Sequence, residues 1–297
     1  ARDYCDAVRL AAARSDATVA EAVDPSRLIF KRLWEPLACA VMNASPAEAA
    51  AQPLGHMLRA TFGRGEAGCR PWIARAGLSK AFVDPALAML ARGGCALKTG
   101  RRLSGIEFEG ARARRLRFGE RAVDVAADEA VILAVSRPAA ASLLPTLGLG
   151  DDYRAIVNAH FRLDRPAEFP GGLPLLGLVG GLAQWLIAHG DIVAVTVSAA
   201  DAIVDRPADE LVARLWVDVA RALGCPRAAV PPCRLIKEKR ATFAQTPAGM
   251  RTRPAARTSW RNLALAGDWT ATGLPATIEG ALTSGHTAAS VVLAPLA

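Results

Sequence analysis

A chain of 297 residues, 52% hydrophobic and 22% charged, has room for one large domain or two ordinary ones and is not a disordered polypeptide. The formal net charge of +8 invites a nucleic-acid reading. Only five of the 36 basic residues are lysines, however, and the arginines are scattered without interleaved aromatics, so no nucleic-acid partner is expected. A modest attraction to anionic lipid headgroups stays open. The six cysteines (Cys5, Cys39, Cys69, Cys95, Cys225, Cys233) form no CxxC pair and read as buried small apolar residues of a reducing compartment. With the four histidines far apart, no metal site is expected.

In chain order, residues 1 to about 62 read as helices, Arg2 to Ala22 as one amphipathic stretch, with stops at Asp24-Pro25 and Ser45-Pro46. Ser45 and Glu48 have the spacing of a capping box that opens a short helix. The first residue is alanine and the opening has no apolar signal region, so the chain reads as a fragment or processed form. Asp84-Pro85 opens a helix through Ala91 that Gly93-Gly94 ends. Short alternating strands are expected at Cys95–Lys98, Arg102–Glu109, Ala113–Phe118 and Ala122–Val125, then a strand buried on both faces at Ala130–Val135. Strands are also expected at Ile156–Leu163, Ile192–Ser198 and Leu235–Phe243, the last carrying the charged run Lys237 to Arg240. Leu211, Leu215, Val219 and Leu223 make one stripe of a helix over Asp209–Leu223. Phe169–Ala188 is uncharged and long enough to cross a bilayer, but its glycines and prolines favour a strand–turn–strand element in a soluble, cytoplasmic protein. Peripheral attachment to the inner membrane face stays open.

The informative segment is Leu263 to Ala281. An apolar strand ends at Gly267, Asp268 follows at its carboxyl end, and Pro275 and Thr277 open a helix to about Val292. On that helix Ile278, Ala281, Leu282, Gly285, Ala289 and Val292 share one face, and Gly280, Ala281, Ser284, Gly285 and Ala288 permit close approach to a sheet or a flat cofactor. The free N–H groups of such a helix start favour negative charge. Spacing alone fits an ordinary strand–loop–helix equally well.

This segment resembles the C-terminal flavin signature of the amine oxidase and phytoene desaturase superfamily, and more narrowly that of the hydroxysqualene dehydroxylase family (squalene-associated FAD-dependent desaturases). Arg32 to Leu37 running on to Asn43, Gly180 to Trp185, and Ile236 to Phe243 resemble the same family, so the likeness covers the chain in order. It implies an α/β (mixed α+β) two-domain fold of discontinuous segments. Residues 1–80 are the helical part of a substrate domain, 81–140 the middle of an FAD-binding domain, 141–255 the substrate-domain sheet and helices, and 256–297 the end of the FAD-binding domain. It further implies that Gly267 and Asp268 meet the ribityl–phosphate region of FAD, and that Pro275, Thr277, Ile278 and Glu279 start the helix facing the flavin ring. Leu103 would hold adenine through its backbone, unless it is plain strand core, and Ala134 to Ser136 would pass near the pyrophosphate. The family's N-terminal GxGxxG unit is absent, and Gly63 to Gly68 is a weak mimic without a preceding strand. About a hundred upstream residues are therefore expected to be missing, and the chain alone is expected to bind FAD poorly and to be inactive.

An amine substrate is disfavoured. Neither tyrosine, Tyr4 or Tyr153, lies in the flavin signature, and Asn158 stands by strand position where amine oxidases place a lysine. The resemblance implies a long isoprenoid whose allylic hydroxyl is replaced by hydrogen, giving squalene. A proton donor would assist the departing hydroxyl, and the candidates are Glu35, Glu238, Lys239 and His160, with Asn43 and Gln184 as hydrogen-bond donors. Trp34 and Trp185 either line an isoprenoid tunnel or pack in the core. A carotenoid or phytoene desaturase, or a non-catalytic fragment that does not bind FAD, are the alternatives.

Overall fold

The computed structural model describes residues 5–74, 76–225 and 229–294. The chain opens with a helical layer of α1 (Cys5–Ala11), α2 (Val19–Ala22), α3 (Glu35–Met42) and α4 (Ala51–Thr61), with a π-helical turn over Phe30–Trp34 leading into α3. Leu10, Val19, Phe30, Trp34, Met42, Leu54 and Leu58 make its core. The expected single helix is therefore two short ones, and its start at Arg2 to Tyr4 lies outside the described residues. The capping box is at Thr18 and Glu21, which exchange side-chain and backbone hydrogen bonds of 3.3 and 2.8 Å. The Ser45 hydroxyl donates to the Glu48 carboxylate at 3.2 Å and the Glu48 N–H to the Ser45 carbonyl at 2.9 Å, without the reciprocal side-chain-to-backbone bonds of a capping box, and their segment is a turn rather than a helix. Asp6 is wholly buried between Arg27 at 2.9 Å and Arg9 at 3.2 Å, which ties α1 to the chain entering α3.

Next come α5 (Glu66–Cys69) and α6 (Asp84–Arg92). Leu78, Phe82, Met89 and Trp72 are exposed there, and Cys95–Lys98 forms no strand. An antiparallel meander follows: β1 (Gly105–Glu109), β2 (Arg112–Phe118) and β3 (Arg121–Asp124). Its arginines meet acids across the strands, Arg115 with Asp124 at 2.5 Å and Arg114 with Glu109 at 2.9 Å.

Then β4 (Val131–Leu133) pairs in parallel with the late strand β10 (Leu263–Leu265). Ile132 is 40% exposed, so β4 is not buried on both faces. Asn262 joins this pair to the meander, accepting from the Ala113 N–H at 2.9 Å and donating to the Ala113 carbonyl at 3.0 Å. Stacked Phe108 and Trp260 rings, 4.5 Å apart, support the same junction.

After α7 (Arg137–Leu143), β5 (Tyr153–Arg162), β6 (Leu175–Gly177), β7 (Trp185–His189), β8 (Ile192–Val197) and β9 (Cys233–Phe243) form an antiparallel sheet in the order β6-β7-β8-β5-β9. Phe169–Ala188 is thus strand–turn–strand, and no described helix is long and apolar enough to cross a membrane. One sheet face, with Val157, Ala159, Phe161, Val193 and Val195, is covered by α8 (Ala208–Ala222). Leu211, Leu215 and Val219 of that helix are fully buried, each worth about 1.5–3 kcal/mol. The opposite face, with Ile156, Asn158, His160, Thr196 and Trp185, is only half-buried. The chain closes with α9 (Pro247–Arg251), β10 and α10 (Ile278–Leu293).

Two expectations are corrected, the burial of the cysteines and the strand at Leu103. Cys5, Cys69 and Cys95 are exposed and Cys39, Cys225 and Cys233 half-buried, because most of them sit in loops or at element ends rather than in a core. On α10 the buried positions are Gly280, Ser284 and Ala288, while Ile278 and Leu282 are about half exposed. Close contact with β10 selects the small residues and turns the large ones outward. Leu103 is half-buried but precedes β1 in irregular chain.

Asn43 closes α3 in the left-handed region (φ 47°) and is buried. Its amide donates to the Arg154 carbonyl at 3.2 Å and the Thr242 hydroxyl at 3.0 Å, and its oxygen accepts from the Ala199 N–H at 2.7 Å. Asn43→Ala leaves these groups without partners in a conformation alanine resists, and a loss of about 2–4 kcal/mol is expected in chemical denaturation. A loss below about 0.5 kcal/mol would show that the junction is not held there.

Candidate active site

The centre of the site is the loop from Gly267 to Thr277, between β10 and α10. Gly267 has φ 149°, and a Cβ there would collide with the Trp269 indole, so no other residue fits. Its N–H donates to Ser284 Oγ at 2.7 Å, and the buried Trp269 Nε1–H donates to the Val135 carbonyl at 2.8 Å, locking the loop to β4. Thr277 caps α10, its hydroxyl accepting from the Gly280 N–H at 3.2 Å. The Ile278 and Glu279 N–H groups have no partner among the described residues and stand at the positive end of a 16-residue helix, beside exposed side chains.

Three residues that sequence reading did not single out hold this loop. Arg253 donates to the Leu274 carbonyl at 2.6 Å, the Asp268 carbonyl at 2.9 Å and the Thr272 hydroxyl at 3.1 Å, and lies over the Phe243 ring. Burial lowers its pKa to about 10, with Asp268 opposing the fall. Gln245, fully buried, accepts from the Ala276 N–H at 2.7 Å and donates to the Met42 carbonyl at 2.8 Å. His56 Nδ1 lies 3.0 Å from the Gly273 carbonyl. Their loop partners are 15 or more positions away, so no local pattern announces them. The Asp268 carboxyl is held above its usual range by burial, with Arg253 pulling it back.

The donors and acceptors fit one half of a flavin dinucleotide. Open N–H groups at the α10 start suit a carbonyl edge of the ring, and Asp268 at the end of β10 suits ribityl hydroxyls. Of the other cofactor candidates, Ala134 and Ser136 are exposed where β4 runs into α7, Pro275 is buried in the loop, and Leu103 lies in the core beneath it.

The candidate substrate and acid residues divide into two groups. Strand register places Glu238, Asn158, His160 and Trp185 on the half-open sheet face, with Ile156 opposite Glu238 and Ile236 opposite Asn158. Glu238 and His160 each stand about 7 Å along the sheet from the Asn158 row. The others are engaged elsewhere. Glu35 is exposed at the start of α3, and Lys239 binds Asp205 at 2.6 Å. Trp34 is sealed in the helical core, Asn43 joins backbone segments, and Gln184 binds both backbone groups of Ser198 at 2.9 and 3.1 Å.

Two variants test the loop. In Arg253→Lys one ammonium replaces a planar fork that reaches three acceptors, and a loss of about 2–3 kcal/mol is expected in urea unfolding; parent-like stability would contradict the clamp. Asp268 has a raised pKa, so its contribution is fully present below the ordinary carboxylate range and lost as pH rises through the folded value. The stability of Asp268→Asn relative to the parent should therefore rise as pH increases above the ordinary carboxylate range; a pH-independent difference would contradict it.

The sequence matches the family described as flavin containing amine oxidoreductase over residues 26–293. It is 43% identical over 293 residues to the hydroxysqualene dehydroxylase of Rhodopseudomonas palustris and 41% identical over 291 residues to that of Sinorhizobium fredii, covering 98% of this chain and 69% of each relative. That of Zymomonas mobilis is 35% identical over 293 residues, 99% of this chain and 70% of the relative. Among solved structures, an oxidoreductase from Methanosarcina mazei superposes with a TM-score of 0.71 at 14% identity, over 96% of this chain and 71% of that one. Cyclohexylamine oxidase from Brevibacterium oxydans gives 0.63 at 16%, over 94% and 68%. These two show the shared fold. With the family matched across nine-tenths of its length and close relatives along nearly all of it, this chain belongs to the flavin-containing amine oxidoreductases.

Proposed function

We propose that this FAD-dependent oxidoreductase carries out the reductive dehydroxylation of hydroxysqualene to squalene. The observation that carries the reading is the half-open sheet face, which sets ionisable Glu238 and His160 on either side of Asn158 among isoleucines. Such a surface suits a long hydrocarbon bearing one oxygen, the substrate that the relatives' name describes.

The net change replaces C–OH by C–H, consuming two electrons and two protons and releasing water. Reduced flavin, when bound, would supply the electrons as hydride, and an external two-electron reductant would return the oxidised FAD to that form. Its ring edge would lie at the Ile278 and Glu279 N–H groups and its ribityl chain at Asp268, on a loop that Arg253, Gln245 and Trp269 keep in one shape. The isoprenoid would lie on Ile156, Ile187 and Ile236, and apolar walls raise the cost of leaving hydroxide unprotonated. Glu238 is the proton donor to that oxygen. One oxygen of its carboxyl group accepts from the Arg240 N–H at 3.1 Å, which fixes its direction along β9, and His160 stands on the same face beyond Asn158.

In the flavin-loaded enzyme, Glu238→Gln is expected to lower kcat about a hundredfold or more, with bound flavin unchanged by visible absorbance. Glu35→Gln should stay near the parent rate. Parent-like turnover in Glu238→Gln would remove the carboxylic acid from the scheme, and flavin loading without any squalene product would sink the reaction assigned.

A further inference from the structure

We infer that Trp185, Thr196 and Asn158 form a hydroxyl-recognition row, a subsite that takes the oxygen of an alcohol carried on an otherwise apolar chain. This deepens the function proposed above and rests on it for the identity of the alcohol.

The register places the three side by side on adjacent strands, Trp185 opposite Thr196 and Thr196 opposite Asn158, all on the face that α8 leaves open. The row continues into Ile236; in the rows beside it Ile187 and Ala194 run on to His160, and Ile156 stands beside Glu238, so the three polar groups lie among aliphatic residues with His160 and Glu238 on their flanks. Their hydrogen bonds leave a specific remainder. The Thr196 hydroxyl donates to Asn158 Oδ1 at 3.0 Å, which uses the threonine proton and orients the amide. Asn158 Nδ2 then has no partner among the described residues, and the buried Trp185 Nε1–H has none either. What is left is two donors, and an acceptor in the lone pairs of the Thr196 hydroxyl. An alcohol has the matching inventory, two lone pairs and one proton. A ketone could use the donors but not the acceptor, and a hydrocarbon could use neither.

The neighbouring strand supports the indole in this position. Gly177 lies directly across from Trp185, and a Cβ there would sit 3.1 Å from the indole Cζ3. The missing side chain is what lets the ring lie over β6. A buried indole N–H without a partner carries a desolvation penalty that a ligand oxygen would relieve.

The test is equilibrium binding of hydroxysqualene and of squalene, each in detergent micelles, to the flavin-loaded enzyme, followed by the change in flavin absorbance. The parent is expected to prefer the alcohol about tenfold or more, the worth of one or two hydrogen bonds. Thr196→Val keeps the side-chain volume and Trp185→Phe keeps an aromatic ring against Gly177, and each should remove most of that preference. Squalene affinity should stay within about twofold of the parent. Asn158→Leu should do the same; if it fails to fold, the other two variants still decide. An unchanged alcohol-to-hydrocarbon ratio in Thr196→Val and Trp185→Phe overturns the row. A parent without preference overturns it as well. If that parent sample still turns hydroxysqualene into squalene, the reaction stands and only the subsite falls.

Discussion

One buried amide joins the parts of this molecule. Gln245 donates to the carbonyl at the end of α3, accepts from the backbone of the Gly267–Thr277 loop, and through its own carbonyl receives the Ala50 N–H at the start of α4 at 2.9 Å. Losing either side-chain group strands a backbone partner away from water, which costs more than the hydrogen bond itself is worth. Helical layer, sheet and loop therefore share a single fixed origin, just beyond the end of β9. Asn43 and Arg253 extend the same joint on either side, one toward β5 and Ala199, the other toward the loop carbonyls.

That joint matters because the loop works by orientation. Dipoles that are already aligned need no rearrangement when charge develops near them. Arg253 points the Asp268 and Leu274 carbonyls inward, and Trp269 fastens the loop to the end of β4. The outward side of α10 is thereby left with its free N–H groups, two residues after the last clamp at Ala276. The half-open sheet face is rigid for a different reason, since its far side is sealed by α8. Rigid donors and a rigid apolar surface suit a reaction in which a single oxygen on a long flexible chain must be found and placed.

Local features were legible in the sequence and distant partnerships were not. Alternation marked β5 and β8, the leucine stripe marked α8, and Gly267, Pro275 and Thr277 marked the loop and helix start, because each depends on neighbours a few positions away. The small residues of α10 were legible too, since Gly280, Ser284 and Ala288 recur at helical spacing and are the positions that β10 buries. Thr196, Gln245 and Arg253 carry no signature of their own. Their roles arise from register and from acceptors 15 to 203 positions away. Asn43 and Gln184 show the converse: polar residues chosen for chemistry are used up by backbone groups.

The charged run on β9 has a further effect. β9 is an outer strand of its sheet, and Lys237, Glu238, Lys239 and Arg240 lie along it with Glu238, Lys239 and Arg240 exposed. Unpaired strand edges invite another chain to add itself, and closely spaced charges with a register irregularity beside them discourage that addition. At the opposite edge, β6 is only three residues long and offers little to extend. The sheet can thus leave one greasy face open for a ligand without becoming a template for aggregation.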